Sequence, residues 1–276
     1  MQKNWITWKF KLSAMKKKMK KYLTWLLKGV TAFFVVSILS VILLDFIPVP
    51  FTILMLQRCI EQKIDGKPMR LKKDWVSKQN MSPNLELAVF CAEDQKFLEH
   101  EGFDFEAIDK ALEYNEKQNG KLHPKMRGAS TISQQTAKNV FLWPGRSWIR
   151  KGFEVYFTFL IEKIWSKERI MEVYLNVIEL GDGVYGVEAA AQFYFHNSAK
   201  NINPSQAALM AIVLPNPLKF NIAKPTSYML KRKNWVLSQM GHQGGGIDYN
   251  KEDQIKTNTS ISEEKKIKKA IKKKKK

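Results

Sequence analysis

Cysteine and histidine are scarce in this sequence of 276 residues, which contains 2 Cys and 4 His. The histidines are scattered, so no spacing typical of a metal-ligand set appears. Cys59 and Cys91 each lie in an apolar helical pattern. They fit two buried thiols or, in an exported protein, one disulfide. The sequence therefore predicts no metal cluster held by the protein, and it leaves the state of the two thiols open.

Acidic residues are absent from residues 1–28, which carry 9 Lys, and few in residues 251–276, where 11 Lys face 4 acids. These two ends supply most of the formal net charge of +20, and the middle of the chain is only mildly basic. Lysine runs without interleaved aromatic residues are typical of solvated segments rather than of nucleic-acid interfaces. We therefore predict a basic segment over 1–28, a disordered Lys-rich tail over 249–276, and no nucleic-acid partner.

One long apolar run occupies residues 29–49 and contains a single acidic residue, Asp45. About 20 apolar residues suffice for a helix to cross the hydrocarbon core of a bilayer. No small-residue cleavage site follows the run, so a single membrane anchor is favoured over a removable signal peptide. A buried core helix is the alternative. The preceding lysines predict that residues 1–28 are cytoplasmic and that residues 50–248 form an extracytoplasmic domain.

Alternating strand patterns and internal repeats are also lacking. Ser82-Pro83 is typical of the start of a helix, and Asn203–Gln206 resembles a capping box. Polar segments at 62–82 and 115–129 predict a connector and a loop. Further helical patterns lie at 51–62, 130–141, 147–165 and 166–179. The part after the apolar run is thus predicted to be mainly α, and its first helix is amphipathic and suited to a membrane surface.

The stretch EDQKFLEHEGFD, residues 93–104, has two adjacent carboxylates directly after the apolar run LAVFCA. On a continued helix, Glu93, Phe97 and His100 share one face, and Asp94 points about 100° away. Partial desolvation beside apolar side chains would raise the pKa of Glu93, which suits a proton acceptor or donor. The alternative is a helix end with solvent-facing acids and one packed aromatic side chain.

The stretch RGASTISQQTAKN, residues 127–139, is rich in small and hydroxyl residues that are poor helix formers. Thr131, Gln134, Gln135 and Lys138 recur at helical spacing and offer amide and ammonium donors to a polar ligand. A helix cap rich in Ser and Thr is the alternative explanation.

The stretch PGRSWIRKGFE, residues 144–154, has Arg146, Arg150 and Glu154 four residues apart, with Lys151 beside them. Together with Lys138, these arginines predict a cationic pocket suited to a diphosphate. The alternative is an ordinary ion pair between Arg150 and Glu154, worth about a few tenths of a kcal/mol.

A fourth stretch, KERIMEVYLN at 167–176, mixes apolar positions with Glu172, Tyr174 and Asn176, and is predicted to be mostly structural. The ordered set EDQKFLEHEG, GASTISQQTAKN, RKGFE, KERIMEVYLN and AAAQFYF resembles the glycosyltransferase domain of peptidoglycan synthases. FLWPGRSWIRKG and VLPNPLKF resemble in particular the monofunctional biosynthetic peptidoglycan transglycosylases. The resemblance runs from about Phe51 to Met240.

The resemblance implies a helical, lysozyme-like fold. It implies the polymerisation of lipid II, a disaccharide-pentapeptide on undecaprenyl diphosphate, into β-1,4 glycan by an inverting single displacement. By the match, Glu93 is the general base and Glu154 the second catalytic carboxylate. The matched substrate-binding residues are Asp94, Phe97, His100, Thr131, Gln135, Lys138, Asn139, Arg146, Arg150 and Lys151, and Lys138 and Arg146 among them hold the diphosphate.

The resemblance also implies lipid II, the growing glycan strand and membrane lipid as partners, with cell-wall synthesis or division proteins as candidates. It implies a cell inner membrane location with a periplasmic catalytic domain. Family members often use a divalent cation, Mg or Mn, near the diphosphate, but no ligand cluster in this sequence supports one; no organic cofactor is implied. Two alternatives stay open: a membrane-anchored lysozyme-like lytic enzyme, which needs no diphosphate clamp, and an inactive wall-assembly scaffold.

Overall fold

The computed structural model describes residues 2–118, 120–121, 127–145 and 147–250. The chain divides into two units, Met1–Ile47 and Pro48–Lys276. Arg146, most of the predicted Lys-rich tail (251–276) and part of the predicted loop at 115–129 lie outside the described residues.

The N-terminal unit is one helix, α1 (Gln2–Phe46), which contains a candidate membrane span at Lys18–Phe46 with a mean hydropathy of 2.3. At 1.5 Å per residue, its 29 residues extend about 43 Å, more than the thickness of the hydrocarbon core. The Ser37 and Ser40 hydroxyls donate to main-chain carbonyls of the same helix at 3.0 and 2.7 Å, which satisfies them within the apolar segment. This apolar helix indicates a membrane anchor.

The second unit is mainly helical, which confirms the predicted fold class. Its α-helices among the described residues are α2 (Ile53–Ile64), α3 (Pro83–Glu93), α4 (Phe105–Glu116), α5 (Ile132–Phe141), α6 (Trp148–Ile164), α7 (Lys167–Val177), α8 (Val187–Phe195), α9 (Pro204–Ala211) and α10 (Ser227–His242). Short 3₁₀ turns occur at Lys78–Asn80 and Ala199–Asn201.

The helix starts follow the local sequence closely. Before eight of the helices, the residue that precedes the first turn is a Ser, Thr, Asp or Asn whose side chain accepts a main-chain N–H, as this position favours. Such caps precede α2 to α7, α9 and α10, at Thr52, Ser82, Asp104, Thr131, Ser147, Ser166, Asn203 and Thr226. The predictions of a helix start at Ser82-Pro83 and of a capping box at Asn203 are therefore confirmed.

α7 lies in the core of the second unit and packs against α3, α5, α6 and α8. Its fully buried apolar and aromatic side chains are Ile170, Met171, Val173, Tyr174, Leu175 and Val177. A helix buried on several sides fixes its neighbours rigidly, because packed interiors tolerate little displacement. α3, which ends at Glu93, and α5, which carries Gln135 and Lys138, are therefore held by the same central helix. α9 and α10 also pack against α3.

A small three-stranded sheet was not predicted. It consists of β1 (Lys72–Lys73), β2 (Glu179–Gly181) and β3 (Val184–Tyr185) in the order β1-β3-β2, with β1 parallel and β2 antiparallel to β3. Strands of 2 or 3 residues are too short to show an alternating pattern. At the end of the hairpin, Gly186 has φ +79, and an added Cβ would lie 2.7 Å from the Asn176 carbonyl oxygen. Glycine is required at this close approach to α7.

The two cysteines do not form a disulfide: both thiols are free, Cys91 being buried and Cys59 half-buried. Burial raises the pKa of the Cys91 thiol to about 11, so this residue behaves as a small core side chain.

Candidate active site

Glu93 is the last residue of α3, and the chain leaves the helix directly after it. Asp94 adopts φ −158 and ψ 84, outside helical geometry, and residues 95–100 form turns. The prediction of a continued helix with Glu93, Phe97 and His100 on one face is therefore wrong. Hydrogen bonds of the Asp94 side chain to distant residues hold the chain in this non-helical conformation.

Asp94 is buried, contrary to the alternative of solvent-facing acids at this helix end. Its Oδ2 accepts the Ile132 main-chain N–H at 3.0 Å and the His100 Nε2–H at 3.0 Å. The Gly102 N–H donates to the His100 Nδ1 at 3.2 Å, which leaves Nε2 as the protonated ring nitrogen. A carboxylate at the first turn of α5 also interacts favourably with the helix dipole. Asp94 thus joins the end of α3, the following turn and the start of α5.

Phe97 and His100 belong to the same set of contacts that connects α3, the following turn and α5. Phe97 is fully buried, and the Lys167 ammonium lies 4.7 Å from the centre of its ring. Lys167 also donates to the His100 carbonyl at 2.6 Å and to Glu162 at 2.8 Å. Phe97 and His100 therefore stabilise the turn after Glu93.

Glu93 itself is half-buried, and its Oε2 accepts the Gln135 Nε2–H at 2.8 Å. Desolvation by the surrounding protein raises the pKa of Glu93, and the neighbouring Asp94 adds to this rise. The Gln135 hydrogen bond and the charges of Arg232 and Lys138 oppose it without cancelling it. A carboxylate with a raised pKa beside solvent is suited to accept a proton.

The second stretch combines a helix cap with two residues that reach the site. Thr131 and Gln134 form a capping box at the start of α5, and the Thr131 hydroxyl donates to the Gly102 carbonyl at 2.7 Å. The cap interpretation is thus confirmed for these two residues. Gln135 instead binds Glu93 through its amide, and Lys138, about one turn further along α5, interacts with Glu93 electrostatically. Asn139, one residue on, is half-buried.

The cationic set lies on the first turns of α6. Glu154 is 4% exposed; Arg150 Nη1 lies 3.2 Å from its Oε2, and Lys151 pairs with its Oε1. The predicted i,i+4 ion pair is therefore present. Lys138 interacts electrostatically with Glu154, Arg150, Glu93 and Lys151. Desolvation by neighbouring groups lowers the pKa of Lys138, and the two nearby cations lower it further.

An apolar cleft adjoins these cations. It encloses about 470 Å³ and is bordered by α4, the segment before α5, and α6. Its lining residues are Phe103, Phe105, Ile108, Ala129, Ser130, Gln134, Lys151 and Val155. Lys151 therefore lies both in the cationic set and at the edge of a surface that suits a hydrocarbon group.

Two residues near Glu93 were not identified from the sequence as site residues. Arg232 on α10 directs Nη2 to the Ala92 carbonyl at 3.5 Å, and its guanidinium lies 4.0 Å from the Trp235 ring centre. Tyr174 on α7, predicted as structural, donates its hydroxyl to Gln135 Oε1 at 3.0 Å. Arg232 gives no local signal, because only the packing of α10 on α3 brings it there.

The described residues do not fit a metal held by protein ligands. They contain no group of three or more His, Cys, Asp or Glu side chains that could hold a metal ion. Glu154 is already neutralised by its ion pairs with Arg150 and Lys151. Glu93 accepts a hydrogen bond from the Gln135 amide and does not face another free carboxylate. No step of the chemistry is therefore assigned to a metal.

Comparisons with known proteins agree with the motif resemblance. A family model described as Transglycosylase matches residues 61–241. The biosynthetic peptidoglycan transglycosylase of Bdellovibrio bacteriovorus is 55% identical over 216 residues, which is 78% of this chain and 84% of that protein. The protein of the same name from Haemophilus influenzae is 50% identical over 216 residues, which is 78% of this chain and 86% of that protein. The one from Bacteroides thetaiotaomicron is 55% identical over 208 residues, which is 75% of this chain and 82% of that protein. The chain therefore belongs to the transglycosylase family.

Proposed function

We propose that this protein polymerises lipid II into β-1,4-linked glycan and releases undecaprenyl diphosphate, with Glu93 as the general base. The observation that carries the proposal is the position of α5 between Glu93 and the cluster of Arg150, Lys151 and Glu154. Gln135 of α5 binds Glu93 at 2.8 Å, Lys138 lies about one turn further along that helix, and α5 packs against α6, which carries the cluster. One end of this arrangement can accept a proton, and the other can neutralise a departing diphosphate. A sugar transfer that expels a diphosphate needs both groups.

The proposed step is a single displacement. The Glu93 carboxylate takes the proton of the 4-hydroxyl of N-acetylglucosamine in the acceptor as that oxygen attacks C1 of N-acetylmuramic acid in the donor. The bond from C1 to the diphosphate oxygen breaks, and its electron pair leaves with the diphosphate. Attack from the opposite face turns an α link into a β link, so no glycosyl-enzyme forms. Burial raises the pKa of Glu93, which makes its carboxylate a better proton acceptor than an exposed one.

The diphosphate is held by Lys138, Arg150 and Lys151 in this proposal, with Arg146 as a further ligand by its position in the motif. Cations fixed before the reaction stabilise the negative charge that develops on the leaving group more than they stabilise the bound substrate. Glu154 keeps the guanidinium and ammonium of its two partners in place. The apolar cleft at Lys151 accommodates the start of the lipid chain.

The location follows from the same substrate. α1 anchors the protein in the inner membrane with residues 1–28 in the cytoplasm, and the second unit works on the periplasmic side. α2 supports this arrangement because Ile53, Leu56 and Ile60 share one helix face and are 45%, 55% and 59% exposed. Its other face is fixed to the domain by the Arg58–Glu179 ion pair at 3.2 Å. An exposed apolar face of this kind suits contact with lipid that carries the substrate.

The test is polymerisation of labelled lipid II by the purified full-length protein in detergent. We expect long glycan that a muramidase degrades, and no polymer from Glu93→Gln. Glu99→Gln, a matched change at an exposed glutamate of the same segment, should polymerise normally. Full polymer yield from Glu93→Gln would contradict the assigned base. Digestion of preformed wall in place of polymerisation would favour the lytic alternative.

A further inference from the structure

Tyr174 contacts the site from within the core. Its side chain is fully buried in α7, yet its hydroxyl reaches the site, with 3.0 Å between the phenol oxygen and Gln135 Oε1. The amide nitrogen of the same Gln135 lies 2.8 Å from Glu93 Oε2. Tyr174, Gln135 and Glu93 therefore form a continuous hydrogen-bonded chain from the core to the site.

The donors and acceptors in this chain admit one arrangement when Glu93 is ionised. A carboxylate only accepts hydrogen bonds, so the Gln135 NH₂ group must face it. The Gln135 carbonyl then faces Tyr174, whose hydroxyl is a donor. If the amide were reversed, its carbonyl oxygen would meet the carboxylate oxygen with no hydrogen between them, and that contact is repulsive. The carboxylate selects this amide orientation, because a phenol can either donate or accept. The phenol then holds the amide in that orientation by donating to its carbonyl oxygen.

We infer that Tyr174 is a positioning residue for the transfer reaction: its hydroxyl holds the Gln135 side chain in place, and the Gln135 amide in turn holds the Glu93 carboxylate ionised and in place. This inference rests on the proposed role of Glu93 as the base. Tyr174 itself does not contact the substrate, because it is enclosed by the core.

The charges around Glu93 set the expected direction of the effect. Desolvation raises the pKa of Glu93, and Asp94 at the end of α3 raises it as well. Gln135 and Lys138 on α5 and Arg232 on α10 lower it. Desolvation also raises the pKa of the Tyr174 phenol well above its usual value, so the phenol stays protonated and able to donate. Without the phenol, Gln135 is free to rotate, its stabilisation of the carboxylate weakens, and the pKa of Glu93 rises further.

The experiment is the pH profile of kcat/KM for Tyr174→Phe with lipid II. We expect the acid limb, which reports ionisation of the free enzyme's base, to move up by roughly 0.5 to 1 pH unit, with a smaller loss of rate on the high-pH side. The matched control is Tyr185→Phe, because Tyr185 is also fully buried and its hydroxyl lies 3.3 Å from a different carboxylate, Glu179. That variant should leave the acid limb in place. A merely structural role for Tyr174 would lower the rate equally at every pH and would overturn the inference.

A double-variant comparison tests the route through Gln135. If Tyr174 acts through the amide, Tyr174→Phe should cause no further shift of the acid limb in a Gln135→Leu background. If Tyr174→Phe moves the acid limb by the same amount with and without Gln135→Leu, the phenol does not act through Gln135, and this route is refuted.

A second measurement does not depend on turnover. The Glu93 carboxyl signal, assigned by its loss in Glu93→Gln, can be titrated by ¹³C NMR of protein labelled at glutamate side chains. A rise in its titration midpoint in Tyr174→Phe supports the inference even if no polymer forms, which would refute only the proposed function. Equal midpoints in both proteins would refute the positioning role.

Discussion

The two adjacent carboxylates at the end of α3 should have opposite effects on stability. Asp94→Asn removes a charged acceptor that binds the Ile132 N–H and His100 Nε2–H, both at 3.0 Å. Both donors bind Oδ2, so an amide oxygen in that position still accepts from them, but it carries no charge. The NH₂ group replaces Oδ1 and faces the His100 Nε2–H, which lies 3.2 Å from that atom. Since a hydrogen bond to a charged group contributes about 1.5–3 kcal/mol, the loss should be of that size. For a domain of this size, it corresponds to a fall in Tm of about 3–12 °C.

Glu93→Gln should instead raise Tm at neutral pH. Burial raises the folded-state pKa of Glu93 above its ordinary value of 4.5. As pH rises from 4.5 through the folded-state pKa, the unfolded chain releases the proton first, so the folded state loses stability. At neutral pH the ionised Glu93 therefore costs stability, and a neutral amide of the same shape removes that cost. This is the compromise expected of a group kept for chemistry.

Thermal unfolding of the full-length variants in detergent, followed by circular dichroism at neutral pH and near pH 4.5, measures both effects. The gain in Glu93→Gln should shrink as pH falls toward 4.5, because an increasing share of both the folded and the unfolded protein then carries the proton. A stable Asp94→Asn together with a destabilised Glu93→Gln would refute the assignment of one carboxylate to the fold and the other to the reaction.

Two further changes test the cationic set and the turn before α4. Lys138→Ala should lower the rate with lipid II by about 10²–10³-fold without lowering Tm, which is the usual effect of removing one group that stabilises developing charge. Lys163→Ala, at an exposed cation of α6, is the control. Unchanged kinetics in Lys138→Ala would contradict the binding of the diphosphate by Lys138. Gly102→Ala should destabilise by about 2–4 kcal/mol, because Gly102 has φ +87 and its Cβ would lie 2.8 Å from Thr158 Cγ2. Gly152→Ala is the control, because nothing lies within 4 Å of its added Cβ, and it should stabilise α6 by about 0.5–1 kcal/mol. Equal Tm values for the two alanine variants in thermal unfolding would disprove the steric argument.

The sequence by itself determined the features that depend on near neighbours. The caps at Ser82 and Asn203 predict helix starts because a capping side chain bonds a main-chain N–H only 2 or 3 residues away. The spacing of Arg150 and Glu154 likewise predicts their ion pair, and the apolar run predicts the span in α1. The order of the motifs indicates the family, which the matched relatives confirm.

Tertiary structure decided where helix α3 stops and which residues surround Glu93. The Asp94 carboxylate binds an N–H 38 residues away, Gln135 lies 42 residues from Glu93, and Arg232 lies 140 residues from the carbonyl it faces. The periodic sequence pattern predicts a helix that continues through His100, and this prediction fails because periodicity carries no information about such distant partners. Contacts between distant residues form only when α5, α7 and α10 pack around α3, and their energy there outweighs the local preference for another turn of helix.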